Sequence, residues 1–156
     1  MTKTTERAAL DQWYCVEDLD EVGPDRRKTR LLGQDILHWR DRDGAVRVAE
    51  AAGDREGMAL PARERHGYLW TTFGSPARDV LDIPEADEPD RRLVKCGAVQ
   101  VRASGLRIVE NFLDLAHFPF VHTDILGAEP HTEVPQYRAE IRRDVDEVWA
   151  TNCSFF

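Results

Sequence analysis

The sequence has few cysteines, and their positions match no cluster or redox motif. Cys15, Cys96 and Cys153 are the three cysteines among 156 residues, and none belongs to a C-x-x-C or C-x-H pair. Such pairs are the usual spacing of iron–sulfur, zinc and thiol–disulfide sites. Each of the three lies in a strand-like segment, so we expect three buried, reduced thiols.

Positive charge is in deficit. Lys and Arg number 21 against 29 Asp and Glu, which gives a formal net charge of −8. Such a chain repels phosphate backbones, which argues against nucleic-acid binding. No apolar run is long enough to cross a membrane, and the amino-terminal MTKTTERAALDQWY has no apolar signal core. We therefore predict a cytoplasmic protein with neither nucleic-acid nor membrane partners.

The first part of the sequence predicts β structure. A short strand is predicted at 12–16, strands at 31–40 and 45–50 flank the turn DRDG, and another strand is predicted at 68–74. The intervening AGDREGMALPARERHG is charged and rich in turn residues. Three prolines and many acidic residues in 75–91 predict an extended linker.

The second part mixes helix and strand. A strand is predicted at 93–103, a helix from about Leu106 to Phe118, and a hairpin in TEVPQYRAEIRRDVDEVWATNCSFF. The predicted fold class is therefore α+β, with one domain at 1–74 and a second at 92–156.

The segment ENFLDLAHFPFVHT carries ionisable side chains on an otherwise apolar helix. Glu110, Asp114 and His117 share one stripe. A second stripe has the helical spacing of a core-facing surface and consists of Val109, Phe112, Leu113, Ala116 and Phe120. Apolar residues also occupy the remaining sides, which predicts a buried helix. Buried ionisable groups need partners, and a metal ion would be one.

His117 and His122 are spaced as two ligands of one metal only if the helix breaks between them. On a regular helix, residues five apart point about 140° away from each other. Pro119 cannot donate a backbone hydrogen bond and clashes with the preceding turn, so a break is expected there. Asp114, one turn before His117, is placed to accept a hydrogen bond from that imidazole. The spacing alone favours the other interpretation, core histidines that are satisfied by backbone groups.

These residues resemble a known motif. The stretch VRASGLRIVENFLDLAHFPFVHTDILG is similar to the mononuclear-iron motif of Rieske-type non-haem iron oxygenases, which hydroxylate aromatic rings or remove O- or N-methyl groups. The resemblance implies that His117 and His122 are ligands of a mononuclear Fe(II). It also implies catalytic roles for Asn111 and Asp114, with electrons reaching the iron by way of Asp114.

The amino-terminal part resembles the β domain of the same family, but without its cluster. The family inserts C-x-H and C-x-x-H loops where this sequence has AGDREGMALPARERHG, with no cysteine and only His66. A Rieske [2Fe–2S] centre needs two Cys and two His. The resemblance therefore implies a remnant Rieske-like antiparallel β-sandwich with no [2Fe–2S] cluster, followed by the first part of a helix-grip catalytic domain.

The family completes its iron site with a carboxylate from a later, distant helix. Asp124 or Glu129 is an alternative local source of that acid. The expected partners are a companion polypeptide that completes the catalytic domain and a Rieske ferredoxin or oxygenase subunit that donates electrons. Incomplete sheets with unpaired edges also predict an oligomer.

Three functions remain open from the sequence. The first is a subunit or fragment of an iron oxygenase, a mono- or dioxygenase acting on an aromatic or heterocyclic substrate with O2. The second is a catalytically inactive structural subunit of such a complex. The third is an unrelated metal-dependent hydrolase, with two histidines and an acid around zinc.

Overall fold

The computed structural model describes residues 3–97, 101–144 and 147–154. The chain divides into two compact units, Met1–Val99 and Gln100–Phe156. Both contain antiparallel β structure with short helices, so the predicted α+β class is confirmed. The segment predicted as a linker lies within the first unit. No helix among the described residues is long and apolar enough to cross a membrane.

The described part of the first unit contains a short α-helix, two 3-10 helices and two antiparallel sheets. The α-helix and strands are α1 (Arg7–Leu10), β1 (Tyr14–Asp18), β2 (Arg27–Leu31), β3 (Gln34–Arg40), β4 (Val46–Ala52), β5 (Arg55–Leu60), β6 (Ala62–Arg65) and β7 (Tyr68–Thr71), and the 3-10 helices are Leu19–Glu21 and Pro84–Asp87. One sheet has the order β1-β7-β6 and the other β2-β3-β4-β5. Ile36 of one sheet and Leu69 of the other are both 0% exposed in one hydrophobic cluster, so the two sheets pack face to face.

Two tight turns set the register of the four-stranded sheet. The predicted DRDG hairpin is confirmed, with Arg40 opposite Val46 and Gly44 at φ +83°. A second hairpin joins β2 to β3, where the sequence predicts a single strand at 31–40. Leu32 and Gly33 both have positive φ and turn the chain between β2 and β3. Leucine rarely adopts that conformation, so only Gly33 signalled the turn.

Two other segments differ from their predicted structure. The charged interval after β4 was predicted as turns, but it forms β5 and β6. Edge strand β5 is exposed at five of its six positions, so its composition is that of a loop while its backbone pairs with β4. The strand predicted at 93–103 is absent from 93–97 and 101–103, and 98–100 lie outside the described residues.

Lys95 connects the segment after the predicted linker to β1 and the 3-10 helix that follows it, within the first unit. Its ammonium donates to Asp18 Oδ1 at 2.6 Å and also pairs with Asp20. The hydrogen bond from Lys95 lowers the pKa of the Asp18 carboxyl below its usual value. The aliphatic part of Lys95 passes over Gly67, where an added Cβ would lie 3.2 Å from Cδ of the lysine.

The second unit contains two helices and a hairpin among its described residues. The elements are α2 (Gly105–Leu113), α3 (Phe118–Val121), β8 (Arg138–Arg142) and β9 (Glu147–Thr151). β8 and β9 pair antiparallel from Arg138 opposite Thr151 to Arg142 opposite Glu147. The hairpin predicted in this region is therefore confirmed.

The predicted burial of the helix is wrong for this chain. No residue of α2 is buried, and Phe112 is 77% exposed. The described part of the second unit supplies one two-stranded sheet, which does not cover the apolar stripe of α2. The prediction of three buried cysteines is also wrong, since Cys15, Cys96 and Cys153 are free and exposed.

The buried imidazole of His38 leads us to expect that the protein loses stability in weak acid. Its side chain is buried in β3, neither ring nitrogen has a hydrogen-bond partner among the described residues, and Nε2 lies 3.6 Å from Glu17 Oε2. Burial lowers the pKa of His38 below its usual range, the Glu17 carboxylate opposes that shift and Arg27 adds to it. The unfolded chain therefore binds this proton more readily than the folded chain.

We expect the free energy of unfolding to be highest above pH about 6.5 and to fall as the pH decreases below that value. Urea denaturation from pH 5 to pH 7.5 measures the slope, and His38→Leu should flatten it. An unchanged slope in the variant would show that His38 does not carry this pH dependence.

Candidate metal centre

Helix α2 ends earlier than its apolar pattern predicts. Ser104 caps its start, with Oγ accepting from the N–H of Arg107 at 3.4 Å. The helix ends at Leu113, and the capping residue that follows is Asp114. The Asp114 Oδ1 accepts a hydrogen bond from the N–H of Ala116 at 2.8 Å. An Asp side chain that bonds the backbone two residues ahead competes with continuation of the helix. The break therefore comes at Asp114, five residues before the predicted position at Pro119.

A one-turn helix then separates the two histidines. Pro119 lies in the first turn of α3, where its missing N–H costs no helical hydrogen bond. His117 is the residue before α3 and His122 the residue after it. The N–H of Val121 donates to the His117 carbonyl at 2.8 Å, and the N–H of His122 donates to the carbonyl of Phe118 at 2.9 Å. These bonds fix the backbone at both imidazoles.

The break brings the two imidazoles side by side. Their ring centroids are 5.2 Å apart at an interplanar angle of 61°. The ring of Phe118 lies edge-on to both, at 4.8 Å from His117 and 5.8 Å from His122. Phe118 thus contacts both imidazoles, whereas the sequence pattern predicted only an apolar neighbour.

Asp114 contacts the first imidazole directly. Its Oδ2 lies 3.2 Å from Nδ1 of His117, whose side chain is 16% exposed. With the proton assigned to Nδ1, the other nitrogen, Nε2, carries the lone pair that a metal ion requires. Two neutral imidazoles, one of them oriented by a carboxylate, are donors that suit Fe(II) and leave room for an acid ligand.

The other predicted residues lie outside this group. Asn111 is exposed on α2, three residues before Asp114. Glu110 pairs with Arg107 at 2.5 Å. Asp124 has φ +65°, and its N–H donates to the Gly127 carbonyl at 2.9 Å.

The donor set among the described residues is incomplete. Within 3–97, 101–144 and 147–154, no group of three or more His, Cys, Asp or Glu side chains is arranged to hold a metal ion. Neither Asp124 nor Glu129 forms such a group with the pair among these residues, and a local acid ligand stays a prediction. The residues present fit two of the three ligands of a two-histidine, one-carboxylate iron site.

Thr123 is a residue of the site that the sequence reasoning missed. Its hydroxyl donates to the Pro119 carbonyl at 2.6 Å, directly beside His122. The available signal was a threonine that follows a helix end and lies four residues after a proline. Such hydroxyls often donate hydrogen bonds to the terminal carbonyls of a helix.

Known proteins are similar to this chain in sequence. Residues 101–153 match the family model described as the vanillate O-demethylase oxygenase C-terminal domain. A probable methylxanthine N7-demethylase, NdmC of Pseudomonas sp. (strain TJI-51), is 48% identical over 147 residues, which are 94% of this chain and 51% of the relative. The vanillate O-demethylase oxygenase subunit of Pseudomonas sp. (strain ATCC 19151) is 30% identical over 49% of this chain and 24% of its own length.

A solved structure gives a weaker likeness. Dicamba monooxygenase bound to dicamba aligns with 86% of this chain and 54% of its own chain, at TM-score 0.49 and 14% identity, too low to assign a fold. The chain spans about half the length of the methylxanthine demethylase relative. The chain is similar to Rieske-type non-haem iron oxygenase components, over nearly its whole length to one relative and over residues 101–153, which contain the histidine pair, to the family model.

Proposed function

We propose that this chain forms the iron-binding part of an oxygenase that hydroxylates or demethylates an aromatic or heterocyclic substrate with O2. The observation that carries the proposal is the side-by-side pair of His117 and His122, with Asp114 against one ring. Its relatives are oxygenase components, and two of them are named as demethylases.

The roles of the residues follow from their contacts. His117 and His122 would hold Fe(II), which supplies O2 activation when it is bound. Asp114 holds the proton on Nδ1 of His117 and keeps Nε2 free for the metal. In the proposed assembly Asp114 also stands between the iron and the electron donor, as the resemblance implies.

A companion polypeptide would complete the site. A cavity lined by Leu115, Phe118 and Leu126 among others, but by neither histidine of the pair, has a volume of about 20 Å³. That space holds about one water molecule, so it cannot enclose an aromatic ring. The exposed stripe of α2 gives a companion an apolar surface to cover, with Val109 at 53% and Phe112 at 77% exposure. The companion would bring the carboxylate ligand and the substrate pocket.

Electrons would come from a Rieske protein in another chain. The interval where the family carries its cluster ligands contains β5 and β6, no cysteine and one histidine, His66. A Rieske centre requires two cysteines and two histidines. The donor would be a ferredoxin or an oxygenase subunit, and the complex would be an oligomer.

An N-methylated heterocycle is the substrate class to test first, because the relative at 48% identity is named as a probable methylxanthine N7-demethylase. Demethylation would consume O2, two electrons and two protons, and would release formaldehyde, water and the N–H heterocycle.

The test uses the complex purified from its own cells by a tag on this chain, with a reductant, O2 and N-methylxanthines. We expect formaldehyde release that falls by more than about hundredfold in His122→Ala. His66→Asn is the matched control, because His66 lies in the first unit and asparagine tolerates its positive φ of 54°. No formaldehyde and no hydroxylated product from any heterocycle or aromatic tested would contradict the proposal.

The same assay decides between this function and a structural subunit. The absence of a three-ligand group from the described residues is the observation that favours a subunit without catalysis. Turnover that continues unchanged in His122→Ala would place the chemistry on another chain, and the present chain would then support a catalytic relative.

A further inference from the structure

The end of α3 depends on a side-chain hydrogen bond. The last carbonyls of a helix have no helical partners. Pro119 is the buried residue of α3, and its carbonyl is one of these orphan groups. The Thr123 hydroxyl satisfies it at 2.6 Å, and the same oxygen lies 3.3 Å from the carbonyl of Phe120. One hydroxyl thus closes the turn that carries both histidines.

This bond lies one residue from each part of the ring arrangement. Thr123 follows His122, and its acceptor Pro119 follows Phe118. The ring of Phe118 lies edge-on to both imidazoles, and the Phe118 carbonyl accepts the N–H of His122 at 2.9 Å. If the turn opens, the His122 N–H no longer donates to the Phe118 carbonyl. The separation of 5.2 Å between the imidazole centroids is then no longer fixed.

We propose that Thr123 is a positioning residue for the imidazole pair. Its hydroxyl anchors the carboxyl end of α3 and so holds His122 at the distance and angle from His117 that a shared metal requires. Asp114 orients His117 through its ring, whereas Thr123 orients His122 through the backbone. The importance of this role for metal binding rests on the proposed function, but the role itself is a property of the chain without metal.

Two variants separate the hydrogen bond from the shape of the side chain. Thr123→Val keeps the branched shape and removes the hydroxyl, and Thr123→Ser keeps the hydroxyl and removes a methyl group. Because Thr123 is exposed, neither change opens a cavity in a core. Circular dichroism of both variants checks that the fold is retained.

The first readout needs no metal. Nuclear Overhauser contacts between the rings of Phe118 and His122 report the ring arrangement, and amide exchange at His122 reports its bond to the Phe118 carbonyl. In Thr123→Val we expect exchange to accelerate by about fivefold and the contacts to weaken, while Thr123→Ser stays within twofold of the parent. Unchanged contacts and exchange in Thr123→Val would overturn the proposal.

The second readout is cobalt(II) binding to the full chain, followed by its visible absorption. We expect the dissociation constant to rise by about fivefold in Thr123→Val and to recover in Thr123→Ser. Equal affinity in all three proteins would overturn the link from Thr123 to the metal site. A parent protein that binds no more cobalt than the double variant His117→Ala/His122→Ala would refute the proposed metal site, while the metal-free readout still decides the role of Thr123.

Discussion

Replacement of both His117 and His122 by alanine is expected to abolish Fe(II) binding. After anaerobic reconstitution, we expect near-stoichiometric iron in the parent chain and none above background in the double variant. The imidazole rings of His117 and His122, whose centroids are 5.2 Å apart, supply the nitrogen donors of the proposed site. Removing a neighbouring carboxylate alone typically weakens a metal site by about 10- to 100-fold. Loss of the ligands themselves must exceed that range.

The control for this experiment is His66→Asn. His66 is also a histidine with an accessible ring, but its Nε2 lies 2.8 Å from the carbonyl of Leu81 in the first unit. Iron content measured by emission spectroscopy should equal that of the parent. Iron retained by His117→Ala/His122→Ala would show that the metal binds elsewhere. Equal background iron in all three proteins would contradict iron binding by the histidine pair in this chain.

Leu69→Ala is expected to destabilise the first unit by about 3 kcal/mol. Leu69 lies on β7, the central strand of its sheet, and is 0% exposed in the cluster that joins the two sheets. Truncation there removes buried methyl groups and leaves a cavity against the opposite sheet. Met58→Ala, on edge strand β5 at 64% exposure, should cost less than about 0.5 kcal/mol.

Urea denaturation monitored by tryptophan fluorescence measures both changes. Trp149 belongs to the second unit, so a Trp149→Phe background leaves Trp13, Trp39 and Trp70 as reporters of the first unit alone. A midpoint in Leu69→Ala that matches Met58→Ala would contradict the face-to-face packing of the two sheets.

The sequence predicted best those features that depend on short-range chemistry. The turn DRDG was found because Asp and Gly suit the backbone of a tight hairpin, and Gly44 indeed has positive φ. The turn at Leu32 was missed because its left-handed conformation is imposed by strand pairing on either side. Strand β5 was missed because an edge strand with exposed, charged side chains has no apolar alternation to detect.

The candidate site, too, contains features that the sequence predicted and features that it missed. Asp114 and His117 are three residues apart, and the sequence placed them together because one turn of backbone sets their separation. The early end of α2 was not foreseen, because a hydrophobic pattern does not register an Asp side chain that bonds the N–H of Ala116. The exposure of Phe112 could not follow from the sequence, since burial depends on what lies opposite a side chain and the described residues do not cover this one.

The incomplete donor set has a thermodynamic consequence for assembly. If iron takes two ligands from this chain and its carboxylate from a companion, the metal and the companion are linked ligands of the histidine pair. Linkage is reciprocal, so iron must strengthen the association of the two chains by the same factor by which the companion strengthens iron binding. Iron supply would then set the fraction of chains that are paired, and chelation would release the subunits from one another.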